Sequence, residues 1–94
     1  MNKYKEEKVM EKMYKSVGER IFMVRSLRGY SREHLAEIAD ISPKFLYEIE
    51  LGKKGFSTYT LAKLCRALEV NSDYLLYGCG RLQCSRLTEK SSLK

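Results

Sequence analysis

Three polar side chains that could hydrogen-bond to a nucleic acid follow the single proline of the chain. If the residues after Pro43 form a helix, then Lys44, Tyr47 and Glu48 share one face of it. Lys44 can donate to guanine O6 and N7, Glu48 can accept from cytosine N4, and Tyr47 can stack, pack against a thymine methyl group or bond a phosphate. The i, i+4 spacing of Lys44 and Glu48 also fits a solvated ion pair, so both interpretations stay open.

Catalytic and metal-binding chemistry has little support among the residue types. The single histidine, His34, is expected to be partly exposed and without a catalytic role, and no cysteine lies beside a base. Cys65, Cys79 and Cys84 form an odd set in a chain without an evident export signal, which argues against a disulfide framework. Tetrahedral zinc sites need four ligands at closer spacing. We therefore expect no enzyme activity, no metal and no cofactor.

Length and composition indicate one small globular domain with tails. The chain has 94 residues, of which 44% are hydrophobic. No apolar run is long enough to cross a bilayer, and the first residues lack the apolar segment of a signal peptide, so a cytoplasmic protein is expected. The net charge is +6, and most of the excess lies in residues 1–15 and 79–94. Charge alone therefore does not establish nucleic-acid binding.

Helical periodicity runs through most of the sequence and predicts an all-α fold. Serine or asparagine at an N-cap indicates where each helix starts, and glycine beyond a periodic segment indicates where it stops. The predicted N-caps are Ser31, Ser42, Ser57 (or Thr58) and Asn71. The predicted helices, which must position the groups above, are 17–28, 32–39, 43–51, 58–69 and 72–77.

The second and third predicted helices form a steeply crossed pair. Only three residues, Asp40 to Ser42, separate them, and so short a connection is typical of a helix-turn-helix. Apolar residues at helical spacing are expected to face inward from both helices: Leu35, Ala36, Ala39, Leu46 and Ile49. The polar side of helix 43–51 then faces outward, and this is the side that a helix-turn-helix inserts into the major groove of DNA.

An ordered and nearly gapless series of residues extends this motif over roughly residues 17–78. The series is Val17-Gly18-Glu19-Arg20-Ile21, Arg25, Gly29, Ser31, Leu35-Ala36, Ile41-Ser42, Ile49-Glu50-x-Gly52, Leu61-x-x-Leu64, Ala67-Leu68-x-Val70 and Asp73-x-Leu75-Leu76. It resembles the phage repressor/Cro-type helix-turn-helix domain, the XRE family. The resemblance implies a five-helix, lambda-repressor-like domain that binds operator DNA, usually as a homodimer, with its third helix in the major groove.

The resemblance also assigns contacts to individual residues. It puts Lys44 and Glu48 at base-reading positions and Arg32 at a phosphate or the edge of the site. Ser42 would cap its helix and donate to a phosphate. The predicted DNA-binding residues are Arg32, Ser42, Lys44, Tyr47, Glu48, Lys53 and Lys54, with Arg28 as a further basic residue able to reach the DNA backbone.

Two structural expectations follow from the same resemblance. Arg25 and Glu50 match positions that often form an ion pair in the family, and pairing is physically sensible because a buried unpaired charge is costly. Asp40 stands where the family has the glycine of the turn. That position needs a positive φ, which aspartate tolerates better than most residues.

We expect three parts along the chain: a helical N-terminal arm (1–15), the helix-turn-helix domain (16–78) and a flexible basic C-terminal tail (79–94). The arm extends the first helix, forms a separate one, or is a frayed, solvated segment. Its apolar side needs a partner, because a helix that is apolar on one side buries that side.

A sequence-specific transcriptional regulator, acting as a repressor, is the function that these features favour. The alternative is a protein-interaction module on the same fold, such as an antitoxin or an adaptor. Phe22, Met23 and Leu27 favour the alternative, because they add apolar surface to the first helix that the arm or a second subunit must cover.

Overall fold

The computed structural model describes residues 3–78, with side chains described from Val9 onward. Five helices follow one another: α1 (Lys3–Leu27), α2 (Arg32–Ala39), α3 (Pro43–Glu50), α4 (Thr58–Leu68) and α5 (Ser72–Tyr77). This described part contains no strand, so the predicted all-α, five-helix fold is confirmed. The tail predicted for residues 79–94 lies outside the described residues. None of the described helices is both long enough and apolar enough to span a bilayer.

The first helix is longer than the domain requires. α1 runs unbroken over 25 residues, so residues 3–15 extend it and do not form a separate helix. Val9 and Met10 are exposed, whereas Met13 and Tyr14 are partly buried. The Tyr14 ring meets the ring of Phe56 edge to face, with the centroids 5.2 Å apart. Packing of α1 against the other helices therefore starts near Met13.

Each of the four shorter helices begins at a predicted N-cap. The capping oxygen accepts a hydrogen bond from the backbone N–H three residues later, at 2.8 to 3.1 Å. The capping residues are Ser31, Ser42, Ser57 and Asn71. These bonds satisfy N–H groups that a helix leaves unpaired at its start, so they fix the residue at which each helix begins.

One apolar core holds the helices together. The inward residues predicted for α2 and α3 are all buried: Leu35, Ala36, Ala39, Leu46 and Ile49. Val17, Ile21 and Val24 of α1 have no exposed surface either. Ile41 and Phe45 are only partly buried, at the edge of this core. The core thus lies directly beneath the α2–α3 pair.

Gly18 allows α1 and α3 to approach at the level of the backbone. A β-carbon at this position would collide with the carbonyl oxygens of Ile49 and Glu50. Backbone atoms cannot turn aside as a flexible side chain can, so any other residue here would push α3 away from α1. The seating of α3 on the domain therefore depends on this glycine.

Two arginines of α1 donate hydrogen bonds to backbone carbonyls of α5 and at the C-terminus of α4. Arg28 Nε donates to the Leu68 carbonyl at 2.7 Å, and Arg28 Nη2 donates to the Glu69 carbonyl at 3.4 Å. Arg20 Nη1 donates to the Leu75 carbonyl at 2.8 Å. Two of the Arg28 N–H groups thus satisfy carbonyls at the C-terminus of α4, and the expectation that Arg28 also reaches the DNA backbone stays a prediction.

Replacing Ile49 by aspartate is expected to unfold the domain. Ile49 is fully buried, and an unpaired carboxylate at its position costs several kcal/mol, comparable with the ~5 kcal/mol that a small domain often has in total. Circular dichroism should show no cooperative thermal transition. Ile38→Asp, on the exposed side of α2, is the matched control and should keep the transition. An intact transition in Ile49→Asp would mean that the inward side of α3 has been misidentified.

Candidate nucleic-acid interface

A three-residue turn joins α2 to α3 and turns one side of α3 outward. Asp40 has φ 61° and ψ 47°, the left-handed conformation expected at this position. Lys63 of α4 donates from Nζ to the Asp40 carbonyl at 3.0 Å and lies 3.7 Å from its carboxylate. The Ile41 N–H donates to the Ala36 carbonyl at 3.0 Å. The turn is thus held by α4 as well as by its own backbone.

The outward side of α3 presents several of the predicted groups to solvent. Ser42, Lys44 and Tyr47 are exposed. Ser42 Oγ accepts the hydrogen bond from Phe45, and its hydroxyl hydrogen is left to donate elsewhere. The Lys44 ammonium pairs with no carboxylate of the described residues. An α-helix with its side chains is about 10–12 Å across, so a helix such as α3 fits the major groove of B-DNA, which is about 12 Å wide.

Glu48 lies near a lysine of the following loop and not near Lys44. Lys54 Nζ is 3.9 Å from Glu48 Oε1, and both side chains are partly open to solvent. Exposed pairs at such a separation contribute little to stability. Glu48 and Lys54 can therefore separate when other partners approach, which keeps both of them available to a ligand.

A buried carboxylate lies at the base of α3. Arg25 Nε donates to Glu50 Oε2 at 2.7 Å, and Arg25 Nη2 donates to Glu50 Oε1 at 3.1 Å. Arg25 Nη1 also donates to the Tyr30 carbonyl at 3.1 Å. The Glu50 side chain is only 3% exposed. The predicted Arg25–Glu50 ion pair is confirmed, and its two parallel hydrogen bonds make it geometrically specific.

Arg32 shares this carboxylate and also contacts the outward side of α3. Its Nε lies 3.3 Å from Glu50 Oε1, and its guanidinium carbon lies 4.9 Å from the centroid of the Tyr47 ring. The Arg32 side chain is about one-third exposed, so its remaining N–H groups can still meet a ligand. Sequence reasoning treated Arg32 only as a surface donor and missed that it holds Tyr47 in place through a cation–π contact.

The loop between α3 and α4 carries two exposed lysines, Lys53 and Lys54. Gly52, which precedes them, has φ 78°, and a β-carbon there would lie 2.8 Å from the backbone of Lys15 in α1. The Lys53 N–H donates to the Glu48 carbonyl at 2.9 Å. The backbone that carries both lysines is therefore packed against α1 and hydrogen-bonded to α3.

The residues considered for catalysis or metal binding lie away from this surface. His34 is exposed, and its ring meets the Tyr30 ring edge to face at 5.0 Å. Burial raises the pKa of the Cys65 thiol to about 11, so this thiol stays protonated near neutral pH. Within the described residues, no three His, Cys, Asp or Glu side chains gather where they could hold a metal ion.

A capped helix pair with a left-handed turn, packed on three further helices and turning a polar side outward, defines a helix-turn-helix domain. Residues 18–81 match the family model described as a helix-turn-helix domain. This chain belongs to the XRE-type helix-turn-helix family.

Relatives of the chain carry names of regulators. It is 30% identical over 70 residues to the HTH-type transcriptional regulator RP497 of Rickettsia prowazekii. This alignment covers 74% of this chain and 54% of that protein. It is 36% identical over 61 residues to the SPbeta prophage-derived HTH-type transcriptional regulator YonR of Bacillus subtilis, covering 65% of this chain and 56% of that one. The chain thus spans about half the length of these relatives.

Solved structures with the same fold include two bacterial regulators. The clp gene regulator ClgR of Corynebacterium glutamicum is 31% identical with a TM-score of 0.65, and the match covers 68% of this chain and 83% of that one. The restriction-modification controller protein C.AhdI of Aeromonas hydrophila is 26% identical with a TM-score of 0.64, covering 66% and 94%.

Replacing Glu50 by glutamine is expected to destabilise the domain by roughly 3–5 kcal/mol. The change leaves Arg25, which is 8% exposed, as a buried cation without a counter-ion. Urea denaturation measures the loss. Glu48→Gln is the control, since it removes only an exposed pair and should change the free energy of unfolding by less than about 0.5 kcal/mol. Equal stability of the two variants would disprove a structural role for Glu50.

Proposed function

We propose that this protein is a DNA-binding transcriptional regulator that represses from an operator in the cytoplasm, with α3 lying in the major groove. The observation that carries the proposal is the outward side of α3. There Lys44 has no carboxylate partner among the described residues, and the Arg32 guanidinium contacts the ring of Tyr47. Such a surface is suited to DNA, whose phosphates and base edges supply the hydrogen-bond acceptors that Lys44 lacks within the protein.

Three residues of α3 would read bases. Lys44 would donate to guanine O6 or N7, as lysine commonly does in this groove. Glu48 would accept from cytosine N4 after leaving Lys54, whose ammonium would then turn to a phosphate. Tyr47 would contact a thymine methyl group or a phosphate. The contact with Arg32 limits where the Tyr47 ring can move, and a ring in a fixed position favours sequence-specific over non-specific DNA binding.

Four further residues would contact phosphates on either side of α3: Arg32, Ser42, Lys53 and Lys54. Each phosphate neutralised contributes roughly 0.9 to the slope of log K against log salt. Arg20, Arg25 and Arg28 are already bonded within the domain and add little. One copy therefore binds DNA weakly, and we propose a homodimer on a two-fold operator, which doubles the contacts.

The rest of the chain would support this role without catalysis. Residues 16–78 would form the DNA-binding domain, residues 1–15 its helical arm, and the basic residues 79–94 a tail that adds non-specific attraction to DNA. We propose no enzyme activity, because Cys65 stays protonated and His34 has no acidic or nucleophilic partner in the described residues.

One observation favours a protein-interaction module as the second candidate. An apolar cleft of about 290 Å³ lies beside α3 and is lined by Glu19, Phe22, Arg32, Glu50 and Leu51. Phe22 and Leu51 are each roughly half exposed. A protein partner that buried them would cover Arg32 as well, and it would therefore compete with DNA for this side of the domain.

Selection of bound duplexes from a random DNA pool at near-physiological salt tests the proposal. A regulator should enrich a two-fold symmetric site, with half-sites spaced by about one helical turn or a multiple of it. A protein-interaction module should enrich no site, and its retention on random duplex DNA should disappear when residues 79–94 are removed. That second result would overturn the proposed function.

Lys44→Ala is expected to reduce discrimination between operator variants by about 1–3 kcal/mol at one base pair, with a smaller effect on random DNA. Lys53→Ala is the matched control: it should weaken binding to all sequences alike and lower the salt slope by about 1. Fluorescence anisotropy titrations at several salt concentrations measure both effects. A uniform loss in Lys44→Ala would reduce Lys44 to a phosphate contact.

A further inference from the structure

We propose that the N-terminal turns of α1 carry a second DNA-binding surface, which contacts phosphates of the duplex outside the bases that α3 reads. The surface is the lysine row, which we define as Lys5, Lys8, Lys12 and Lys15. Its ligand is the sugar–phosphate backbone of double-stranded DNA. The inference deepens the proposed function and rests on it, because the row has a flank to contact only when α3 is seated on a duplex.

The lysine row lies along one line of α1. Its members are separated by steps of three, four and three residues, and α1 is helical from Lys3, so the four positions recur on the same side of the helix. Lys12 and Lys15 are exposed. The row is about 15 Å long, which matches about four base pairs of duplex at about 3.4 Å each. A row of this length can follow successive phosphates of one strand.

The inner end of the lysine row touches the loop that carries two of the proposed phosphate contacts. A β-carbon at Gly52 would lie 2.8 Å from the Cα atom of Lys15, so the two backbones are in direct contact. Lys53 is the next residue of that loop, and it is exposed, as Lys15 is. Because consecutive Cα atoms are about 3.8 Å apart, the Cα atoms of Lys15 and Lys53 lie within roughly 8 Å of each other. The row therefore continues the phosphate-binding side of the domain.

The same line of α1 leads on to the cleft beside α3. Beyond Lys15, steps of four and three residues reach Glu19 and Phe22. Both of these residues line the cleft of about 290 Å³ together with Arg32 and Leu51. The side of α1 that carries the lysine row is thus the side turned toward Arg32, itself a proposed phosphate contact. A duplex lying along α3 therefore approaches α1 from the side of the row.

The two described lysines of the row pair with no carboxylate of the described residues. Glu11 and Glu19 lie four residues before and four residues after Lys15, which is the spacing of a helical ion pair. Neither of them pairs with Lys15, and Lys12 is likewise unpaired within this part of the chain. The positive charge of the row is therefore available to an external anion.

The lysine row costs helix stability in the free protein. Lysines spaced by three or four residues repel one another, and cations near the N-terminus of a helix oppose its dipole. Val9 is 62% exposed and Met10 45%, so packing of these turns offsets little of the repulsion. DNA phosphates would remove it. Binding of DNA thus uses the row and at the same time stabilises the helix that carries it.

Fluorescence anisotropy with duplexes of two lengths tests the lysine row. The short probe is the duplex selected from the random pool, trimmed to its half-sites. The long probe adds about six base pairs of arbitrary sequence at each end, enough to span the row. The wild-type full chain should bind the long probe at least roughly ten-fold more tightly at near-physiological salt, and with a steeper salt dependence.

Variants of the row show whether its charge causes the difference. Lys12→Gln combined with Lys15→Gln should weaken binding to the long probe roughly ten-fold and lower its salt slope by about 2 per copy, with a much smaller effect on the short probe. The corresponding double arginine variant keeps both charges and should bind both probes as the wild-type chain does. Arg66→Gln removes an exposed charge of α4 and should leave the ratio of the two affinities unchanged. Equal wild-type affinity for both probes, or an equal loss on both in the glutamine variant, would overturn the proposal.

A tethered cleavage reagent locates the contact on the duplex. Cys79 and Cys84 are replaced by serine, and Cys65 is retained because burial raises its pKa to about 11 and keeps the thiol unreactive near neutral pH. Iron–EDTA attached at position 12 of Lys12→Cys should cut the long probe outside the half-site. The same reagent at position 66 of Arg66→Cys should give no cuts in that flank. Cuts from position 12 only within the half-site, or none at all, would contradict the proposed contact.

The two proposals can fail separately. If no duplex is selected but the glutamine variant still lowers the salt slope on random duplex DNA by about 2 per copy, the proposed function fails and the lysine row stands as a DNA-binding surface. If a duplex is selected and the glutamine variant keeps the full preference for the long probe, the lysine row alone fails. If there is neither selection nor a change of salt slope, both proposals fail.

Discussion

The carboxylate of Glu50 connects the three helices on which the outward surface depends. It accepts from Arg25 of α1 and lies within 3.3 Å of Arg32 of α2, while its own backbone ends α3. A carboxylate that is 3% exposed would be strongly unfavourable without these cations. Any movement of α3 relative to α1 or α2 would stretch these contacts. The buried charge therefore specifies where α3 lies, whatever it contributes to net stability.

Contacts at the two ends of α3 complete this positioning. At its C-terminal end, Gly18 lets the α1 backbone approach the last carbonyls of α3. At its N-terminal end, Lys63 reaches across from α4 to the carbonyl of Asp40 in the turn. The exposed side of α3 takes part in neither contact. Among the side chains on that side, Ser42 caps the helix, Tyr47 contacts the Arg32 guanidinium, and Lys44 pairs with no carboxylate of the described residues.

The sequence predicted the local structure well because capping and turn signals act over a few residues. Ser31 and Ser42 cap the helices assigned to them, and Asp40 adopts the left-handed conformation. The Arg25–Glu50 pair was predictable only from the family resemblance, since the two residues are 25 positions apart.

The contacts that the sequence did not predict involve long side chains, whose direction no local pattern sets. Arg28 donates to carbonyls about 40 residues away, and Glu48 lies 3.9 Å from Lys54 of the following loop. The contact between Arg32 and Glu50 forms because the fold places the Glu50 carboxylate, on a neighbouring helix, within reach of the guanidinium. Composition also left open whether the arm continues α1, because helix-forming residues alone do not tell one long helix from two.

The support that α1 gives to the loop after α3 has a consequence for the kinetics and thermodynamics of association. Gly52 rests on the α1 backbone, and Gly55 lies against the Tyr14 ring, so the backbone between them has few conformations left in the folded protein. The conformational entropy of this segment is lost during folding and not at the moment a ligand arrives. Only the lysine side chains remain to be ordered on contact, and an encounter complex can mature without a slow rearrangement of the loop.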